Sequence, residues 1–286
     1  MASMQNQSTH SASAELAAEA LDATGNAACT TDAAGPAGHA LEGASATDEA
    51  HGSAGKTDDA ERAGYASRMA ARHGMVGPPD LWEMKRRFQI GFLKSAGLRP
   101  DHRLLDLGCG TLRGGIPLIE YLAVGHYTGV DVRPSVLQEG RRELEEAGLV
   151  GRAPQLVCCE DLRDFDAGRR FDVIWAFAVL IHMSDSVLDT ALAAVARHIE
   201  SSGVFYATVN VGERSEGTWQ GFPIVTRSIP FYAQAASRYG LTLCDIGSLK
   251  SLGHVHPRLS AERQSGQRML RISPHHEVVD ASSTVR

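Results

Sequence analysis

No stretch of the 286-residue sequence approaches the roughly 18 to 20 apolar residues that a membrane-crossing helix needs. The first residues also lack a basic start followed by an apolar run, so no secretory signal is read there and a soluble, cytoplasmic chain without a membrane partner is expected. Cysteine is sparse. Cys29, Cys109, Cys158, Cys159 and Cys244 are odd in number and contain no C-x-x-C pair, which excludes a disulfide framework and a zinc site. Cys158 and Cys159 are neighbours in an apparent strand, point to opposite faces, and are read as buried, inert thiols. An excess of positive charge is missing too: the net charge of -6 leaves no molecule-wide field for a polyanion, so nucleic acid is not an expected partner. His254-x-His256 and His275-His276 have no carboxylate or cysteine beside them to complete a coordination set. They are read as surface histidines, and no metal is expected.

Branched aliphatics are scarce and aromatics missing across residues 1–64, which are rich in Ala, Ser, Thr, Gly, Asp and Glu. Such a segment buries too little apolar area to offset ordering, so a disordered N-terminal tail is expected. The composition changes at Tyr65. The folded domain is expected over residues 65–273, with a flexible tail over 274–286. Gly77-Pro78-Pro79 punctuates the approach to a first helix, with Asp80 as N-cap and Glu83 three residues on, as in a capping box. Leu81, Met84, Phe88 and Phe92 share one face of that helix, and Gly97 ends it in a left-handed conformation.

Strand patterns then recur at 103–107, 126–130, 155–159, 171–176 and 203–209. Between them lie helical patterns at 113–122, at 135–147 with Pro134 in the first turn, and at 186–199. This rhythm predicts an α/β fold with a parallel sheet covered on both faces. Ser228 and Pro230 open a further helix closing at Gly240. Strands at 241–246 and 267–272 follow, separated by a loop without helical pattern, which suits an antiparallel pair.

The chemistry concentrates at Leu104-Leu105-Asp106-Leu107-Gly108-Cys109-Gly110-Thr111, where a buried strand runs into a glycine turn. Open α/β sheets bind ligands in such crevices, and Gly108 and Gly110 let the backbone approach a ligand closely. A lone G-x-G also fits an ordinary turn. The next strand, however, ends at Asp131, 21 residues past Gly110, where a carboxylate can accept from both ribose hydroxyls. The third ends at Glu160-Asp161-Leu162, where an acid can accept from an adenine amino group while the Leu162 N–H reaches a ring nitrogen. A dinucleotide fingerprint wants a small residue where Arg113 stands, flanked by Leu112. Pyrophosphate also favours bare N–H groups at a helix start. S-adenosylmethionine (SAM) carries an amino group and a carboxylate instead, which Asp106 and Arg113 can balance. SAM is therefore the expected cofactor.

The ordered series L-L-D-L-G-C-G-T, Y-T-G-V-D, C-C-E-D-L and F-D-V-I-W-A-F-A resembles the motifs of class I SAM-dependent methyltransferases over roughly Trp82 to Ile272. The resemblance implies a Rossmann-like, doubly wound, seven-stranded sheet with its last strand antiparallel near the edge. It also implies a cofactor-contacting set of Asp106, Gly108, Cys109, Gly110, Arg113, Asp131, Val132, Asp161, Leu162 and Phe177. The glycine turn departs from the usual G-C-G-T-G as Gly108-Cys109-Gly110-Thr111-Leu112-Arg113-Gly114-Gly115, like a bacterial subgroup with G-C-G-S/T-L-R-G-G. The segment from His256-Pro257 to Leu270 is similar to the end of those proteins, with extra residues.

Methyl transfer is an in-line displacement at an activated carbon, so the enzyme aligns the nucleophile, excludes water and, where required, takes a proton. His182, after the fourth strand, is the candidate base for an oxygen or nitrogen acceptor; the alternative is a structural histidine near Asp185. Tyr206, Trp219, Phe222 and Tyr232 are read as core and loop packing, with an aromatic lid as the other reading. Arg141 to Glu146 reads as the wet face of a helix. The fourth strand lacks an Asn/Asp-Pro-Pro-aromatic segment, so a small-molecule acceptor leads, with a protein or peptide behind it. A non-catalytic SAM-binding regulator and an NAD(P)-dependent oxidoreductase are the competing classes.

Overall fold

The computed structural model describes residues 55–212 and 216–275; of the expected tails, 1–64 and 274–286, the parts over 1–54 and 276–286 lie outside the described residues. The first described element, α1 (Gly55–Gly74), spans Tyr65, so helix begins ahead of the change in composition. A buried ion-pair cluster holds its end. Arg72, 5% exposed, bonds Glu139, Glu143 and Glu146 at 2.7–3.2 Å, and Arg86 shares Glu143 at 2.9 Å. These glutamates belong to α4 (Pro134–Glu146). The expectation that the charges over 141–146 form a wet helix face is corrected at Glu143, 12% exposed where a second helix packs, while Glu146 stays exposed.

Between α1 and α2 (Trp82–Ser95), Pro79–Leu81 form a 3-10 turn. Asp80 is therefore inside that turn and does not cap α2, whose N-cap is Leu81 without a side-chain bond. The two prolines fix φ ahead of the helix, so the chain enters it through the tighter turn, and Asp80 pairs with Arg258 instead. The helix ends as expected: Gly97 has φ +96°, and the Leu98 N–H reaches back to Leu93 O at 2.9 Å.

The sheet has seven strands in the order β3-β2-β1-β4-β5-β9-β8. They are β1 (Leu104–Leu107), β2 (Tyr127–Asp131), β3 (Gln155–Cys158), β4 (Phe171–Ala176), β5 (Ile199–Asn210), β8 (Leu241–Ser248) and β9 (Gln267–Pro274). β1 to β5 pair in parallel, and β9 inserts antiparallel to both β5 and β8. β8 consequently points the same way as β1, with its C-terminal end at the same sheet edge. Side chains alternate as strand geometry requires. Leu105, Leu107, Ile174 and Phe205 join one core with Leu188, Leu192 and Val195 of α5 (Asp185–His198) and with Tyr232 and Ala236 of α6 (Ile229–Ser237). Leu104, Val173, Trp175 and Tyr206 join the other with Leu93, with Leu118 of α3 (Gly115–Tyr121) and with Leu137.

Three local differences from the sequence expectation bear on the site. α3 starts at Gly115 rather than at residue 113, because Leu112 turns the chain at φ +62°. β5 begins four residues before 203, with a register shift opposite Phe171 and Val173. A hairpin of β6 (Glu216–Trp219) and β7 (Phe222–Val225), not foreseen, stands after β5, and a short helix α7 (Ala261–Gly266) lies in the expected loop before β9. Among the described residues no helix is long and apolar enough to cross a membrane.

Candidate cofactor and active site

β1 delivers its last residues into a turn stitched to β2, with Gly108 N and Cys109 N donating to Val130 O at 2.7 and 3.0 Å. Glycine is required at Gly108 and Gly110, whose φ values are +71° and +59°. A Cβ on Gly108 would lie 2.4 Å from Val179 Cγ2, and one on Gly110 2.8 Å from Val76 Cγ1. Asp131, at the end of β2, is buried. It accepts from Gly110 N at 3.0 Å through Oδ2 and from Arg133 N at 2.9 Å through Oδ1. Two main-chain donors thus fix the carboxylate while each oxygen keeps further acceptor capacity.

Asp106 is 4% exposed and accepts from the Tyr127 hydroxyl at 2.7 Å. Burial pushes its pKa up to about 7; the Tyr127 bond opposes this, and the nearby Asp131 charge adds to it. Arg113, also buried, donates from Nη1 to Val76 O at 2.9 Å and has Trp82 and Phe177 rings 5.9 Å from its guanidinium carbon. Burial lowers its pKa to about 10, and its Nε has no protein partner. The Cys109 side chain turns into the core towards Gly129, and burial raises its thiol well above the ordinary range; Cys158 and Cys159, expected to be buried, are exposed and half-buried, because β3 is an edge strand. Asp161 is held by Arg163, whose N and Nε donate at 2.9 and 2.8 Å, and Val132 stands 40% exposed at the rim.

His182 ends the 3-10 turn Leu180–His182 after β4. Its Nδ1 lies 2.9 Å from Pro223 O, and its ring stacks on Trp219 with centroids 5.2 Å apart. A carbonyl accepts, so Nδ1 carries the proton and Nε2 keeps the lone pair. Burial is the main reason its pKa lies below the ordinary histidine value, which keeps the ring neutral.

A cavity of about 560 Å³ is bordered by all ten expected cofactor residues and by His182. Val76, Gln89, Arg133, Met183, Trp219 and Phe222 border it as well. The aromatic residues divide: Tyr206 and Tyr232 are core, whereas Trp219 and Phe222 stand at the cavity. A strap after α1 crosses the glycine turn. Arg133 Nη1 donates to Met75 O at 3.0 Å and to Gln220 Oε1 at 3.2 Å, while Gln220 Nε2 donates to Gly74 O at 3.1 Å. Sequence reading missed Val76 and Gln220, since neither residue type announces a site. His254, expected at the surface, is 3% exposed, because the loop after β8 folds back over Phe88 and Phe177. Among the described residues no group of three His, Cys, Asp or Glu side chains is placed to hold a metal ion.

Residues 104–203 match the family model described as a methyltransferase domain. The chain is 31% identical over 176 residues to the ubiquinone biosynthesis O-methyltransferase of Methylobacterium sp. (strain 4-46), covering 55% of this chain and 66% of that protein. It is 27% identical over 145 residues to the ubiquinone/menaquinone biosynthesis C-methyltransferase UbiE of Shewanella halifaxensis (strain HAW-EB4), covering 49% of this chain and 55% of the relative. The chain thus spans just over half to just under two thirds of these relatives' lengths. Among solved structures, a DhpI–S-adenosylhomocysteine complex superimposes with a TM-score of 0.52 at 18% identity, covering 77% of this chain and 97% of that one. The glycopeptide N-methyltransferase MtfA with bound SAM gives 0.51 at 16% identity, covering 66% and 93%. At these identities the structural likeness is one of fold. Residues 104–203 are thus matched as a methyltransferase domain, and the strand order of the sheet around them agrees with the fold of the solved methyltransferases.

Proposed function

We propose that this protein transfers a methyl group from SAM to an oxygen or nitrogen of a small acceptor, with His182 as the base. The observation that carries the reading is the single cavity bordered both by Asp131, its carboxylate fixed by two main-chain N–H groups, and by His182, its tautomer fixed by Pro223.

The residues present suit the cofactor. The buried Asp106 carboxyl offers a counter-charge for an ammonium, and the unpartnered Arg113 Nε an extra donor for a carboxylate. Asp131 is offered to ribose hydroxyls, and Asp161 with the Leu162 N–H to adenine; Gly108, Gly110, Val132 and Phe177 supply the walls. Cys109 contributes through its backbone. When bound, SAM supplies a methyl group already activated by a positive sulfur. The chain's own residues then orient the acceptor, exclude water with the strap and hairpin, and take a proton at His182 Nε2.

Trp219, Phe222 and Phe177 give the cavity an aromatic wall suited to a planar acceptor. The relatives named for ubiquinone and menaquinone biosynthesis support a small acceptor. The test is calorimetric titration of SAM and S-adenosylhomocysteine, with and without Asp131→Ala, followed by labelled methyl transfer with His182→Ala. Asp131→Ala is expected to weaken both ligands by about 1.5–3 kcal/mol, the value of charged hydrogen bonds. His182→Ala is expected to bind them normally and lose turnover. A folded protein that binds neither ligand overturns the proposal.

A further inference from the structure

Beside the cavity, Arg113 is joined by two residues that have no role in the reaction as described, a second cation and a buried histidine. Lys85 on α2 and Arg113 in the glycine turn meet beside Gly77, and His254, in the loop between β8 and α7, lies close enough to feel the charge of both. A Cβ built on Gly77 would stand 3.5 Å from Lys85 Nζ and 3.6 Å from Arg113 Nη1, so the two cations face one point. His254 is 3% exposed and neither of its ring nitrogens has a protein partner. Its ring meets Phe88 and Phe177 edge-on, with centroids 5.0 and 5.7 Å away.

Two acids act on the cluster from nearby, Asp106 on Arg113 and Asp80 on Lys85, but among the described residues neither forms an ion pair with it: Asp106 takes the Tyr127 hydroxyl and Asp80 pairs with Arg258. Lys85 makes no ion pair among the described residues. Burial and then the Arg113 charge push Lys85 down to about 8, and burial and then the Lys85 charge push His254 down to about 4. Cations gathered in this way repel one another until an anion joins them. The topology explains the meeting. β8 points the same way as β1, so the loop carrying His254 and the turn carrying Arg113 lie at one sheet edge, and Arg113 and Phe177 also border the cavity.

We infer that Lys85, Arg113 and His254 form an anion-binding pole beside the cavity, which Arg113 borders, and that it receives a carboxylate. Arg113 offers a planar donor fork and Lys85 a point charge, while neutral His254 donates one N–H. The inference rests on the methyltransferase reading for the source of that carboxylate, which is either the amino-acid end of the cofactor or a substituent of the acceptor.

The experiment uses the full chain with Lys85→Met, Lys85→Arg and His254→Gln, each checked for folding by circular dichroism and melting. S-adenosylhomocysteine and 5′-methylthioadenosine, which lacks the amino-acid end, are titrated by calorimetry. Benzoate is then added to the S-adenosylhomocysteine-saturated protein and the melting temperature followed. If the cofactor supplies the carboxylate, Lys85→Met weakens S-adenosylhomocysteine about tenfold, the scale of a charge-assisted bond, and leaves methylthioadenosine unchanged. Lys85→Arg retains the affinity, which separates charge from packing. If the acceptor supplies it, both nucleosides bind Lys85→Met normally, and benzoate raises the melting temperature of the wild type but not of Lys85→Met or His254→Gln. Folded Lys85→Met with unchanged S-adenosylhomocysteine affinity and an unchanged or absent benzoate response overturns the inference. Failure of the wild type to bind S-adenosylhomocysteine sinks the methyltransferase reading instead. In that case benzoate stabilisation of wild type over Lys85→Met in ligand-free protein decides the anion pole alone.

Discussion

Asp106 shows how one buried side chain ties stability to ligand binding. Its pKa rises from the ordinary carboxylate value to about 7, with burial the leading cause. The folded state therefore binds more protons than the unfolded state between the two values. Stability falls as pH rises through that window, and the cost is complete above about 7. Asp106→Asn should flatten the melting-temperature profile between about pH 5 and 7, a window set by the raised value. Under the proposed function, an ammonium seated beside Asp106 draws that pKa down. Calorimetry near pH 6 in buffers of different ionisation enthalpy should then show proton release on SAM binding, and Asp106→Asn should abolish it. Gly108 makes the complementary case for shape. Gly108→Ala places a Cβ 2.4 Å from Val179 at φ +71°, and should cost about 2–4 kcal/mol by denaturant unfolding, combining left-handed strain with overpacking.

Helices, strands and the hairpin meet around the cavity through a few polar contacts. α1 docks on α4 through Arg72, whose guanidinium is buried while Glu146 remains 46% exposed. Removing a buried partner exceeds the worth of a surface pair, but the exposed glutamate is screened. Arg72→Met should therefore cost about 2 kcal/mol, measured by urea unfolding. The hairpin's Gln220 bonds both the strap at Gly74 and Arg133. Gln220→Ala should speed cofactor-product dissociation with little change in melting temperature, as followed by stopped-flow displacement of S-adenosylhomocysteine; equal dissociation rates would show that the latch does not gate the cavity. At this scale the alternating strands and helices were legible, since periodicity records burial on either sheet face. The β6–β7 hairpin was not, because its four-residue strands pair with each other outside the main sheet and carry little burial pattern.

For the whole molecule, a ligand that binds the folded state alone stabilises it by mass action. At a concentration of about 100 times Kd, S-adenosylhomocysteine should add about 2.7 kcal/mol and raise Tm by about 5–10 °C for a domain of this size. NADH at the same concentration should leave it unchanged, and differential scanning fluorimetry reads both. Strand types and the order of the acids along the chain were determined by sequence. Gly108, Gly110, Asp131 and Asp161 stand out because each lies at or within three residues of the end of a strand whose pattern is itself visible, and strand ends in such sheets converge. Contacts between residues distant in the chain were decided by tertiary structure alone. Val76 over Gly110, Gln220 against Gly74, the burial of Glu143 and the enclosure of His254 between Phe88 and Phe177 arise where separate elements are packed together. Local sequence encodes which face a residue turns inward; what it meets there is set by the rest of the fold.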